Sequence, residues 1–145
     1  MDASPAFPEV LTLFETWLDK HSLFKDKRTA FITDGPWDIR DFIRKQLAHS
    51  KLPRPKYFEK WINLRRLFQD YYHLKERFNL GMMLEFLGMT FEGREHSGIS
   101  DARNITRIAK RMAQDGCHLK PNDSYEDYRK GWRTPPPAPR GSFLS

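Results

Sequence analysis

The run Ala30-Phe31-Ile32-Thr33, followed at once by Asp34-Gly35-Pro36-Trp37-Asp38, constrains the fold of this chain more than any other stretch. Residues 29–33 are apolar or β-favouring without alternation, which predicts a short strand buried on both faces. Strands of that kind occur in sheets covered by helices. Gly35-Pro36 then breaks the strand. From Trp37 to about His49 the apolar residues Ile39, Phe42, Ile43 and Leu47 repeat at helical spacing. A strand leading directly into a helix predicts an α/β arrangement. It also sets Asp38 at the carboxyl end of a strand and the start of a helix, the edge of such sheets where ligands bind. An aspartate there has a second explanation, since it stabilises a helix N-terminus electrostatically.

The remaining elements follow from periodicity. Residues 7–21 read as an amphipathic helix with Val10, Leu13, Phe14, Trp17 and Leu18 toward a core, and Pro8 suits its first turn. Lys25-Asp26-Lys27-Arg28 is a polar connector. Residues 50–55 form a loop punctuated by Pro53 and Pro55. Trp61-Ile62-Asn63-Leu64 reads as a second short strand. Leu64, Leu67, Phe68, Tyr71 and Tyr72 continue it as a helix. Leu80, Met83, Leu84 and Leu87 make a further helix that Gly88 ends. Tyr71, Tyr72 and the nearby cations Lys56, Lys60, Arg65 and Arg66 could form an RNA-stacking surface, but core packing accounts better for the aromatics. Beyond Asp115-Gly116 the sequence loses periodicity and gathers Pro121, Pro135, Pro136, Pro137 and Pro139. Residues 118–145 are therefore expected to be a disordered, Pro-rich tail.

A chain of 145 residues makes one domain at most. Its 39% apolar and 30% charged residues describe a globular protein, and no run approaches the ~20 apolar residues of a membrane span. The Met-Asp-Ala-Ser-Pro start lacks the basic and apolar regions of a signal peptide, so no export and no membrane partner are expected. A single cysteine, Cys117, excludes an internal disulfide framework and suits an intracellular compartment, cytoplasm or nucleus. The net charge of +6 permits a polyanionic partner, because cationic side chains displace counterions from phosphate.

The chemistry points to His96-Ser97-Gly98-Ile99-Ser100-Asp101-Ala102-Arg103-Asn104-Ile105, which opens a helix reaching about Asp115. Ala102, Ile105, Ile108, Ala109 and Met112 fall on one face, with Arg103, Arg107, Lys110 and Arg111 opposite. Ser97 or Ser100 serves as N-cap. His96 and Asp101 then flank the first turn. A histidine to take a proton and a carboxylate to hold a cation are the parts of metal-assisted hydrolysis. The pair alone is better explained by a surface histidine and an aspartate favouring the helix dipole.

Taken together, the strand, the Thr33-x-Gly35-x-Trp37-Asp38 turn, the following helix and His96-Ser97-Gly98-Ile99-x-Asp101-Ala102-x-Asn104-Ile105 resemble the DEDDh 3′–5′ exonucleases. Within them the chain is most similar to the RNA exonuclease group that trims histone mRNA 3′ ends, ribosomal RNA and small interfering RNAs. Lys60-Trp61-Ile62-Asn63-Leu64, Leu87-Gly88-Met89-Thr90-Phe91-Glu92-Gly93-Arg94 and Gln114-Asp115-Gly116-Cys117 extend the resemblance over roughly residues 5–120. It implies an α/β, ribonuclease-H-like fold, helix-rich, with about two short strands in this chain. It also implies hydrolysis of RNA 3′ ends at a pair of Mg2+ or Mn2+ ions held by four carboxylates. By matched motif, Asp38 and Asp101 would be metal ligands and His96 the general base; the nucleic-acid-binding residues are left open.

The family also uses an Asp-x-Glu on its first strand. Before Asp38 the acidic residues are Asp2, Glu9, Glu15, Asp19, Asp26 and Asp34, and no two of them form that motif. Residues 1–117 are accordingly expected to be the C-terminal part of an exonuclease domain. Such a part would be inactive alone and completed by an N-terminal half as partner. A non-catalytic RNA- or protein-binding fragment of the same fold is the alternative, and a fragment with no function of its own is a third.

Overall fold

The computed structural model describes residues 5–130. A three-stranded sheet in the order β1-β2-β3 carries six α-helices. Helix α1 (Phe7–Lys20) comes first, then β1 (Ile32–Thr33). A π-helical stretch, Asp38–Ile43, runs on into α2 (Arg44–His49). After a 3-10 turn at Lys56–Phe58 come β2 (Lys60–Asn63) and α3 (Leu64–Tyr71). Helices α4 (Leu80–Phe86) and α5 (Gly98–Gln114) follow, and β3 (Asp123–Ser124) leads into α6 (Tyr125–Arg129).

Strand β1 pairs with β2 in parallel, Ile32 opposite Ile62 and Thr33 opposite Asn63. Both faces of this ladder are covered, as the unalternating apolar run implies. Ile32 packs on one cluster, in which Leu64, Phe68, Met83, Leu84, Ile108 and Met112 interlock α3, α4 and α5. Phe31 turns the other way, onto Ile39, Phe58 and Trp61 with Phe14 of α1 stacked beside it. Adjacent residues facing opposite sides are what a pleated strand requires. Tyr71 and Tyr72 pack against the first cluster, and both hydroxyls donate to Asp115, one to its backbone oxygen and one to its carboxylate. They are core residues. Cys117 is buried, and burial pushes its thiol up, away from the reactive thiolate.

Three expectations need correction. The sheet has a third strand, where about two were expected. Residues 123–129, placed in a disordered tail, form that strand and α6; the Pro-rich residues 131–145 lie outside the described residues. The cause is side-chain chemistry that hydropathy does not register. Asn122 receives the Asn63 N–H at 2.7 Å and donates to the Asn63 carbonyl at 3.1 Å, copying a strand-pair hydrogen bond with a side chain. The buried Asp123 accepts from Asn63 Nδ2 and from the Tyr128 hydroxyl, and Ser124 caps α6 by accepting from Asp127 N–H. Third, the inward face of α1 is Leu11, Phe14 and Leu18, whereas Val10, Leu13 and Trp17 are exposed, Leu13 by 65%.

Candidate functional site

Strand β1 ends at Thr33, and the next five residues set the geometry. The Thr33 hydroxyl donates to the Gly35 carbonyl, tightening the turn. Gly35 is buried against the Trp37 ring, and a Cβ there would come within 2.1 Å of it, so only glycine fits. The chain then enters the π-helical stretch with Asp38 at its first residue. Wide turns of this kind recur at functional sites.

Asp34 and Asp38, four residues apart, meet different fates. Arg65, from the first turn of α3, donates to both Asp34 oxygens at 2.8 and 2.9 Å, and its backbone N–H extends the β1–β2 ladder to the Asp34 carbonyl. Its guanidinium also lies 4.9 Å from the centre of the Trp37 ring. Asp34 is thus neutralised by a bidentate pair. Among the described residues Asp38 has no such cation. Burial, with the nearby negative charges of Asp34 and Asp101, pushes its carboxyl up to about 6.

Asp101 arrives from α5, which packs against β1. It occupies the first helical turn, its N–H donating to the Ser97 carbonyl. Ser97 holds the N-cap position, but its side chain makes no capping bond, and Ser100 is spent elsewhere. Partial burial raises the Asp101 carboxyl, Asp34 and Glu95 raise it further, and the positive charge of His96 opposes them. His96 is exposed and adopts a left-handed backbone conformation, φ 63°, immediately before the N-cap. Asp38, Asp101 and His96 therefore share one electrostatic neighbourhood, with Asp34 beside them.

A clamp that the sequence did not announce holds the His96 loop to α5. Asn104 is fully buried, and its amide donates to the carbonyls of Glu92 and Ser100, both at 2.8 Å. Its oxygen accepts from Glu92 N–H at 3.1 Å and from Arg107 at 2.8 Å. Ser100 accepts from Arg94 N–H. Gly93, at φ 94°, passes so near Ser100 that a Cβ would lie 2.5 Å from its hydroxyl. Neither this clamp nor the Asp34–Arg65 pair leaves a local pattern. The pair spans 31 residues, and Asn104, although it stands in the His96–Ile105 motif, has no spacing that names Glu92 as its partner.

The donors fit a hard divalent cation in kind, because carboxylate oxygens crowded without a counter-charge are what Mg2+ or Mn2+ relieves. They do not complete a shell. Among the described residues, no three His, Cys, Asp or Glu side chains converge closely enough to hold a metal on their own.

A family profile described as Exonuclease matches residues 1–109. The chain belongs to that exonuclease family. The 3′-5′ exoribonuclease 1 of Rattus norvegicus is 40% identical over 124 residues, covering 85% of this chain and 36% of the relative. The 3′-5′ exonuclease eri1 of Schizosaccharomyces pombe is 33% identical and covers 91% of the chain and 52% of its own length. Among solved structures, the nuclease domain of 3′hExo, a DEDDh family member bound to rAMP, superposes with a TM-score of 0.76 at 38% identity. That match covers 81% of this chain and 60% of the other. The chain thus spans roughly a third to a half of these exonuclease relatives by length, and the ribonuclease-H-like architecture is shared. Among the described residues no helix is long and apolar enough to cross a membrane.

Proposed function

We propose that this chain supplies one side of a divalent-metal-dependent 3′–5′ exoribonuclease site, with Asp38 and Asp101 as cation ligands and His96 as general base, and that it is inactive until an Asp-x-Glu segment completes the donor set. The observation that carries this reading is the Asp38 carboxylate: it sits half-buried near Asp34 and Asp101 with no cation of its own among the described residues, while Arg65 pairs with Asp34. A structural aspartate would gain from an arginine of its own. A ligand is better left without one.

A divalent cation in this site supplies positive charge for the phosphate and acidifies an attacking water. The chain's own residues do the rest. Asp38, in the π-helical stretch just after β1, and Asp101, on α5, would hold the cation from two elements, so the site exists only when β1 and α5 are packed together. Arg65 draws Asp34 aside and keeps that carboxylate from competing as a third, badly placed ligand. His96 takes the proton of the water that attacks phosphorus, a task suited to an imidazole near neutral pH. Its exposed position at the loop tip lets it reach a substrate from outside. The substrate class, RNA with a free 3′ end, rests on the similarity to 3′-5′ exoribonuclease 1.

The test is hydrolysis of a 3′-overhanging RNA with Mn2+. The chain alone is expected to be inactive. Adding the N-terminal part of a relative's exonuclease domain, which carries Asp-x-Glu, should produce trimming that disappears with Asp38→Ala and falls 100-fold or more with His96→Ala, in keeping with general-base contributions of about 10²–10⁴. Failure to recover any activity from two folded partners would contradict the proposal and favour a non-catalytic RNA-binding role.

A further inference from the structure

A cleft of about 730 Å³ opens away from Asp38, on the far side of the same helical segment, between the Asp38–Ile43/α2 stretch and the β3–α6 unit. Arg40 and Arg44, four residues apart, line one wall; Arg54 and Lys60 stand beside β2; Tyr125 and Arg129 of α6 close it. Asp38 is two residues from Arg40 and so points to the opposite side of the helix.

The cleft is cationic in a specific way. Of its acidic residues, Asp41 is held by the Arg40 guanidinium and Glu126 by Lys130 at 2.6 Å. Among the described residues, Arg44, Arg54, Lys60 and Arg129 make no ion pair, although Glu126 feels the charges of Arg129 and Lys60. These cations converge: burial pushes the Tyr125 hydroxyl up to about 12, while Arg54, Arg44 and Arg40 pull it back. The Arg54 guanidinium lies over the Tyr125 ring, 4.0 Å from its centre, and this exposed residue lines the cleft. A guanidinium held on an aromatic ring is an ordered platform that presents a planar cation, suited both to phosphate oxygens and to stacking by a base.

We infer that this cleft is a second nucleic-acid site, which binds the phosphodiester backbone of single-stranded RNA several nucleotides from the 3′ end. Arg44 of α2, Lys60 of β2 and Arg129 of α6 come from separate elements around the cleft, which gives a strand of successive phosphates more partners than a single small anion can use. A groove on the reverse side of the helix that bears Asp38 would let one strand pass around that helix, body in the cleft and end toward Asp38. The inference deepens the proposed function, yet it concerns binding alone and can stand if catalysis fails.

The experiment is fluorescence anisotropy with a labelled single-stranded RNA in EDTA, across a salt series. The probes are wild type, Arg44→Glu/Arg54→Glu, and the matched charge change Lys75→Glu/Lys110→Glu at exposed positions elsewhere, each checked by circular dichroism. The cleft variant should bind at least tenfold more weakly, with a salt slope shallower by about 1–2. The control should lose less than threefold. Milder Arg44→Gln/Arg54→Gln should give an intermediate loss if the charge-reversed chain unfolds. Equal losses in cleft and control variants, no RNA binding by wild type, or displacement of RNA by polyglutamate at matched charge would overturn the inference. Cleft-dependent binding without hydrolysis in the completed enzyme would sink the catalytic reading and leave this one standing.

Discussion

Asp38 carries the tension of the site. Its carboxyl is raised from 3.8 to about 6, chiefly by burial and then by Asp34 and Asp101. A carboxyl raised by folding stabilises the folded state at low pH, and that contribution is lost as pH rises through the folded value. Its window therefore runs from about pH 4 to about pH 6. Two units correspond to roughly 3 kcal/mol at most, and partial exposure brings the expected cost to about 1–2 kcal/mol. Asp38→Asn should raise stability by that amount at pH 7, with the gain shrinking toward zero near pH 4, while abolishing activity in the completed enzyme. Urea unfolding at both pH values measures it, and a variant less stable at pH 7 would contradict the account. At this scale the sequence was legible where a motif is short and local: Asp38, His96 and Asp101 each stand at the junction their neighbours implied. Arg65 was not, because its partner lies a strand and a helix away.

At the scale of elements, the loop that carries His96 has little regular structure of its own, and Asn104 makes it part of α5. Asn104→Ala leaves Glu92 N–H and the carbonyls of Glu92 and Ser100 without their side-chain partner. The expected destabilisation is about 1–3 kcal/mol, with unchanged denaturant slope and faster proteolysis within residues 89–97. A loss below about 0.5 kcal/mol would show that the clamp is dispensable. The helices themselves were legible from spacing: α4 ends at Gly88, which has φ 71° as a helix-terminating glycine should. Spacing misjudged α1, whose apolar residues cover more than one face, and only packing selects Leu11, Phe14 and Leu18 as the buried set. It missed β3 altogether, since a two-residue strand held by Asn122 and Asp123 has no hydrophobic period to detect.

Over the whole molecule, two aromatic and aliphatic clusters clasp a small sheet, and the sheet presents its acidic end on one side of the Asp38 helix and a cationic cleft on the other. That polarity supports the proposed division between a cation-holding side and a strand-binding side. The fold class was readable because a doubly buried strand admits few architectures. That the site needs a completing segment is a proposal drawn from the absence of an Asp-x-Glu before Asp38. One measurement tests the half-site most directly: Mn2+ binding followed by electron paramagnetic resonance, for wild type, Asp38→Asn and Asp101→Asn. Two carboxylates from separate elements should bind weakly, with a Kd of roughly 0.1–1 mM, and each substitution should abolish that binding. Mn2+ binding that survives both substitutions would place the cation elsewhere and contradict the assignment.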